Sequence, residues 1–176
     1  MYSTKLNNIQ LKYTNIFYTD GSVNSEGKVG AAFFSPNLSI NFLFHLPTGL
    51  SIYYAEAFAI LKALDHTQIN NLNNFCIISD SLSVLTDIKT SNTNSSPHPH
   101  IITKICDILL NLSTQYNISL VWFPGHKGNQ DSSTIDSLAK KARKADMIHE
   151  IEFSTSEALL MLEEWYTSTW YKKMGK

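Results

Sequence analysis

Within its first 46 residues the chain carries three strand-like apolar runs, and after them the hydrophobic period changes from two to 3.6. Residues 16–19, 29–35 and 40–46 are rich in β-branched and aromatic side chains, punctuated by Asp20-Gly21-Ser22 and Pro36-Asn37. They read as three strands joined by turns, most simply an antiparallel meander. From Ser51, a plausible cap, Ala55, Phe58, Ala59, Leu61 and Leu64 follow helical spacing. A strand over 75–79, a short helix over 81–90, a polar loop over 90–100 and an amphipathic helix over 101–116 follow. A strand over 118–123 stops at Pro124-Gly125, and helices over 132–145 and 154–171 complete the chain. Helices that return the chain to parallel strands predict an α/β fold. Its five-stranded mixed sheet, three strands antiparallel and two parallel, would be flanked by helices, with an extra helix at the C-terminus. Gly30-Ala31-Ala32 predicts a neighbour packed closely against the second strand. The expected organisation is an N-terminal extension over 1–14, one domain over 15–146 and a C-terminal helical extension over 147–176.

Four acids stand in contexts that present a carboxylate: Asp20 and Asp80 where strands are expected to end, and Glu56 and Asp136 near helix starts. Three of them follow or adjoin apolar runs, where an acid is costly unless paired or metal-bound. Carboxylates brought together repel one another, and the usual relief is a hard divalent cation with oxygen ligands. Two such ions can clamp the attacking and leaving oxygens of a phosphodiester. In a mixed sheet, sites gather where strands end and helices begin, so one pocket is expected to collect all four. Taken singly, Asp20 reads as a turn residue, Glu56 as a solvated helical acid and Asp80 as a helix cap. Asp131 reads as the cap of the helix starting at Ser132.

The net charge of −1 gives no global basic field, but Lys127, Lys140, Lys141, Arg143 and Lys144 cluster beside Asp136. No stretch approaches the length of a membrane span, and the polar N-terminus lacks a signal-like apolar core, so an intracellular protein (cytoplasm or nucleus) with no membrane partner is expected. Cys76 and Cys106 lie apart in apolar settings and read as buried, reduced thiols. Trp165, Tyr166, Trp170 and Tyr171 give the last helix an aromatic surface, read first as packing onto the domain, with stacking on nucleic acid or contact with a protein partner as the other readings.

Tyr18-Thr19-Asp20-Gly21-Ser22, Ala55-Glu56-Ala57, Ser79-Asp80-Ser81, Trp122-Phe123-Pro124-Gly125-His126 and Asp136-Ser137-Leu138-Ala139-Lys140 occur in this order. In these motifs the chain resembles ribonuclease H type I, most closely the RNase H domain attached to reverse transcriptases of non-LTR retrotransposons. The resemblance implies an RNase H-like fold and hydrolysis of the RNA strand of RNA–DNA hybrids, leaving 5′-phosphate and 3′-hydroxyl ends. It implies that Asp20, Glu56, Asp80 and Asp136 hold two Mg²⁺ ions, with Mn²⁺ able to substitute, and that His126 assists proton transfer or product release. Gly21, Ser22, Lys127 and Lys140 are the expected substrate contacts. A monomer acting on the hybrid, with a reverse transcriptase domain in cis or trans as further partner, completes the expectation. Asp131-Ser132-Ser133 departs from the Gly-Asn-Glu frequent in the family, and Ser132 replaces a supporting asparagine. That departure sustains an alternative: a catalytically silent nucleic-acid-binding or scaffolding domain of a reverse transcriptase.

Overall fold

The computed structural model describes residues 2–91, 99–125 and 130–151, together with 155, 158, 159, 162, 166 and 167, and side chains from residue 6 onward. Helix α1 (Tyr2–Lys12) precedes strands β1 (Asn15–Val23), β2 (Val29–Ser35) and β3 (Ile40–Leu46). Helix α2 (Ile52–Ile69), strand β4 (Asn74–Ser79), helices α3 (Leu82–Thr90) and α4 (His100–Ser113), strand β5 (Asn117–Trp122) and helix α5 (Gln130–Ala142) follow. The five strands form one sheet in the order β3-β2-β1-β4-β5. β1 pairs antiparallel with β2, and β2 with β3, whereas β4 runs parallel to both β1 and β5. The expected mixed sheet is therefore present.

Side-chain alternation divides the core between the two faces of the sheet. Phe17, Ala31 and Phe33 join the buried residues of α2 and α4 on one face. Tyr18, Ala32 and Phe34 join Ile135 and Ala139 of α5, with Ile9 and Tyr13, on the other. β2 is consequently buried along its whole length. The glycine and alanines that open it admit α5 closely, since a Cβ on Gly30 would lie 2.5 Å from the Ala139 carbonyl oxygen and 2.7 Å from the Arg143 nitrogen. Ser51 caps α2 as expected, its hydroxyl accepting from the Tyr54 amide at 3.2 Å. Both cysteines are buried free thiols, and burial pushes the Cys76 thiol up to about 12.

The N-terminal extension carries α1, which the sequence reading did not assign; it is seated on the sheet by Ile9 and the adjoining Tyr13, both buried, while Leu11 faces solvent. Two local expectations are corrected. Asp20-Gly21-Ser22 is not a turn. It continues β1, pairing with Ala32, Ala31 and Gly30, because β2 offers four further partners, as far as Val29, after β4 has ended. Asp131 does not cap α5; the helix already begins at Gln130 and includes it.

The predicted C-terminal helix lies mostly outside the described residues. Of its aromatic set only Tyr166 is described, and it is helical and exposed. Among the described residues no helix is long and apolar enough to cross a membrane.

Candidate active site

The site forms where the sheet narrows. β4 stops pairing with β1 at Thr19–Ser79, while β1 runs on to Val23 against β2 alone. Asp20 is the first residue beyond that last pair, and Asp80 follows the last residue of β4. The step leaves the edge of β1 open, so a group from α2 can reach round it. That group is Glu56, near the start of α2. Asp20, Glu56 and Asp80 each offer a carboxylate oxygen, and the three oxygens lie within 4.8 Å of one another.

Glycines set this closeness. A Cβ on Gly21 would stand 2.7 Å from the Glu56 nitrogen and 2.9 Å from the Ala55 carbonyl carbon. Only hydrogen at this position lets the first turns of α2 lie on β1. Asp80 is held from the other side. The Trp122 indole N–H donates to the Asp80 carbonyl at 3.0 Å, the Phe123 amide donates to the Ser79 carbonyl at 3.0 Å, and Gly125 lies directly against the Asp80 carboxylate. The end of β5 thus serves as a brace for the loop that carries Asp80.

Asp136 stands apart from the trio. It lines a cavity of about 160 Å³ together with Asp20, Gly21, Asp80, Gly125 and Ser132, and Glu56 is not part of that lining. It is half-buried, and it accepts a hydrogen bond from the Lys140 ammonium at 2.7 Å, one helical turn on. Lys140, an expected substrate contact, is therefore engaged with an acid of the site. Gly21 and Ser22 are buried within β1, Gly21 under the start of α2. His126 and Lys127 lie outside the described residues. Ser132 is buried and lines the cavity. Sequence reasoning missed one participant: the Ser81 hydroxyl donates to a carboxylate oxygen of Glu56. A serine beside a helix start signals a cap, so nothing in the sequence marked this bond.

Electrostatics make the trio a receptor for positive charge. Burial pushes the Asp20 carboxyl up to about 8, and the charges of Asp80, Asp136 and Glu56 push the same way. Burial also raises Glu56, with the Ser81 hydrogen bond opposing it and Asp80 adding to it. Hard oxygen donors in close array, one of them reluctant to ionise alone, fit a divalent cation such as Mg²⁺ or Mn²⁺. A proton-linked uptake follows. With a pKa of about 8, Asp20 keeps its proton near neutrality, and a cation must displace it. Mn²⁺ binding at pH ~7 should release about one proton, and its affinity should climb with pH and level off above Asp20's pKa. Calorimetry in two buffers of different ionisation heat reads the released proton directly; identical heats in both would exclude the linkage.

A family model for RNase H matches residues 12–144. No curated protein sequence matches the chain. Among solved structures, RNase H1 from the halophilic archaeon Halobacterium salinarum NRC-1 superposes with a TM-score of 0.56 at 15% identity, over 73% of this chain and 96% of that one. The foamy viral protease-reverse transcriptase, in a complex with dsDNA, superposes with a TM-score of 0.62 at 22% identity, over 76% of this chain and 96% of that one. At these identities the two structures establish the shared fold.

Proposed function

The chain belongs to the RNase H family, and from that premise we propose that it is a divalent-metal-dependent endonuclease cutting the RNA strand of RNA–DNA hybrids. The observation that carries the reading is the convergence of Asp20, Glu56 and Asp80 from three different elements onto one point. A structural role would not require it, since burial and mutual repulsion both work against assembling these acids without a counter-charge.

In this reading Asp20, Glu56 and Asp80 hold the metal, and Asp136 completes the set from across the cavity. A pair of Mg²⁺ or Mn²⁺ ions would supply the positive charge that stabilises the attacking and leaving oxygens of the scissile phosphate. The protein's own contribution is position. Gly21 lets Glu56 approach Asp20, the Trp122 and Gly125 brace fixes Asp80, and Lys140 orients Asp136. His126 and Lys127 keep, on the resemblance of their motif, the roles of proton carrier and phosphate contact, and Gly21 and Ser22 those of substrate neighbours. Discrimination for RNA would rest on the 2′-hydroxyl, the group that marks RNA along a backbone. Attack by water leaves a 5′-phosphate and a 3′-hydroxyl.

We further assign the chain to the reverse-transcriptase-linked branch of the family, in the manner of non-LTR retrotransposons. The wording of its motifs supports that placement. A monomeric domain over 15–146, working inside the cell beside a reverse transcriptase domain in cis or trans, follows from the same reading.

The test is cleavage of a labelled RNA–DNA hybrid in Mg²⁺, run beside single-stranded RNA, duplex RNA and duplex DNA, with Asp80→Asn as control. Hybrid-only cutting that the control lacks is the expected result. A folded protein that cuts nothing in Mg²⁺ or Mn²⁺ would leave a silent binding domain, with Ser132 the first residue to examine.

A further inference from the structure

Ser81 occupies the N-cap position of α3, where a serine hydroxyl normally accepts a hydrogen bond from an amide of the first helical turn. Here it makes no such bond. The side chain is buried, and its hydroxyl donates instead to Oε2 of Glu56, twenty-five residues away in sequence. The backbone of Ser81 is fixed independently, its amide donating to the Ser79 hydroxyl at 3.2 Å. The Ser83 hydroxyl lies 3.3 Å from that of Ser81. A hydroxyl has a single proton to donate, and that of Ser81 goes to the carboxylate, while its oxygen accepts from no amide of the helix.

We propose that Ser81 is a positioning residue for the metal site, holding the Glu56 carboxylate in its ligating orientation before a cation arrives. This rests on the metal-dependent reading above. The backbone of Glu56 is placed by α2 and Gly21, but the side chain has three rotatable bonds between that backbone and its carboxylate. Gly21 constrains none of them. The Ser81 bond does, and it does so from the residue next to Asp80. Any movement of the β4–α3 junction therefore carries one ligand and the support of a second together. A ligand so tethered forfeits less freedom when it binds, and hydrogen-bonded partners of ligating carboxylates characteristically tune affinity in this way. The forgone cap is consistent with the proposal, since α3 keeps its form without the hydroxyl.

The experiment measures Mn²⁺ binding to the nucleic-acid-free protein, with free Mn²⁺ counted by electron paramagnetic resonance. Ser81→Ala should weaken binding about tenfold, with thermal melting close to that of the wild type because no capping bond is lost. Ser81→Thr, which returns the hydroxyl, should restore affinity to within about threefold. In a Glu56→Ala background, Ser81→Ala should change affinity less than about twofold, because the partner it orients is gone. Three results would overturn the proposal: wild-type affinity in Ser81→Ala, no recovery in Ser81→Thr, or an undiminished effect of Ser81→Ala without Glu56. A folded wild-type protein that takes up no Mn²⁺ would instead overturn the metal-dependent reading beneath it.

Discussion

Asp20→Asn should lower hybrid cleavage by about 10³-fold or more while making the metal-free protein more resistant to heat at alkaline pH. In the metal-dependent reading, the loss of activity follows from removing one of the three converging carboxylates, whose charge the cation would need. The gain in stability follows from the same charge. Asp20's pKa is raised in the folded state from 3.8 to about 8 by burial and by its acidic neighbours. The folded protein therefore holds this proton more tightly than the unfolded chain does between those two values. Stability from this group is complete below the lower value and drains away as pH rises through the upper one. Asn carries no such proton and has nothing to lose. Melting in a chelator at pH ~5 and pH ~8.5 should show a steeper decline for the wild type than for Asp20→Asn. Adding Mn²⁺ at the higher pH should reverse the order, because only the wild type gains from binding. Parallel pH profiles for the two proteins would refute the electrostatic account. Cleavage within about tenfold of the wild type would refute the ligand assignment. An acid that destabilises the empty fold and serves the loaded one is the trade expected of a functional site.

The architecture was largely legible because it depends on period and order. The three early runs, the helical spacing after Ser51 and the small residues at Gly30-Ala31-Ala32 are local signals, and the structure realises all of them. What sequence could not disclose depends on tertiary contact. Asp20-Gly21-Ser22 has the composition of a turn, yet β2 supplies strand partners for all three residues and α2 occupies the space a Gly21 side chain would fill. α1 shows little apolar pattern; its visible anchor is Ile9, with Tyr13 just past its end, and only the sheet makes them a face. The four acids could be named and expected to meet near one pocket, but not how they divide within it. Spacing along a chain gives no distance across a sheet, so the nearness of three and the separate placement of Asp136 with Lys140 appear only in the fold. Ser81 was masked for a related reason, because its position announces a cap while its hydroxyl serves Glu56.

Two glycine-to-alanine changes should separate the site from the scaffold that carries it. At Gly21 the added methyl meets the Glu56 nitrogen at 2.7 Å and the Ala55 carbonyl carbon at 2.9 Å, both backbone atoms of a helix packed on the sheet. Neither can rotate aside, so β1 and α2 must part. Overpacking of this kind costs about 1–3 kcal/mol, and each kcal/mol lowers the melting temperature of a chain this size by ~2–4 °C. Cleavage should fall as well, since Glu56 moves with its helix. At Gly125 the methyl meets the carboxylate of Asp80, a side chain able to turn. Gly125 is not among the residues with positive φ, so alanine fits its backbone. Gly125→Ala should therefore change stability by no more than about 0.5 kcal/mol, the scale of a substitution without a core penalty. Yet it should cost about 10²-fold in cleavage, because a displaced ligand loses its geometry. Melting curves and initial rates on the two variants decide the matter. Equal losses of stability would mean that the β5 end is part of the scaffold. Full activity in Gly125→Ala would mean that Asp80 needs no brace from that side.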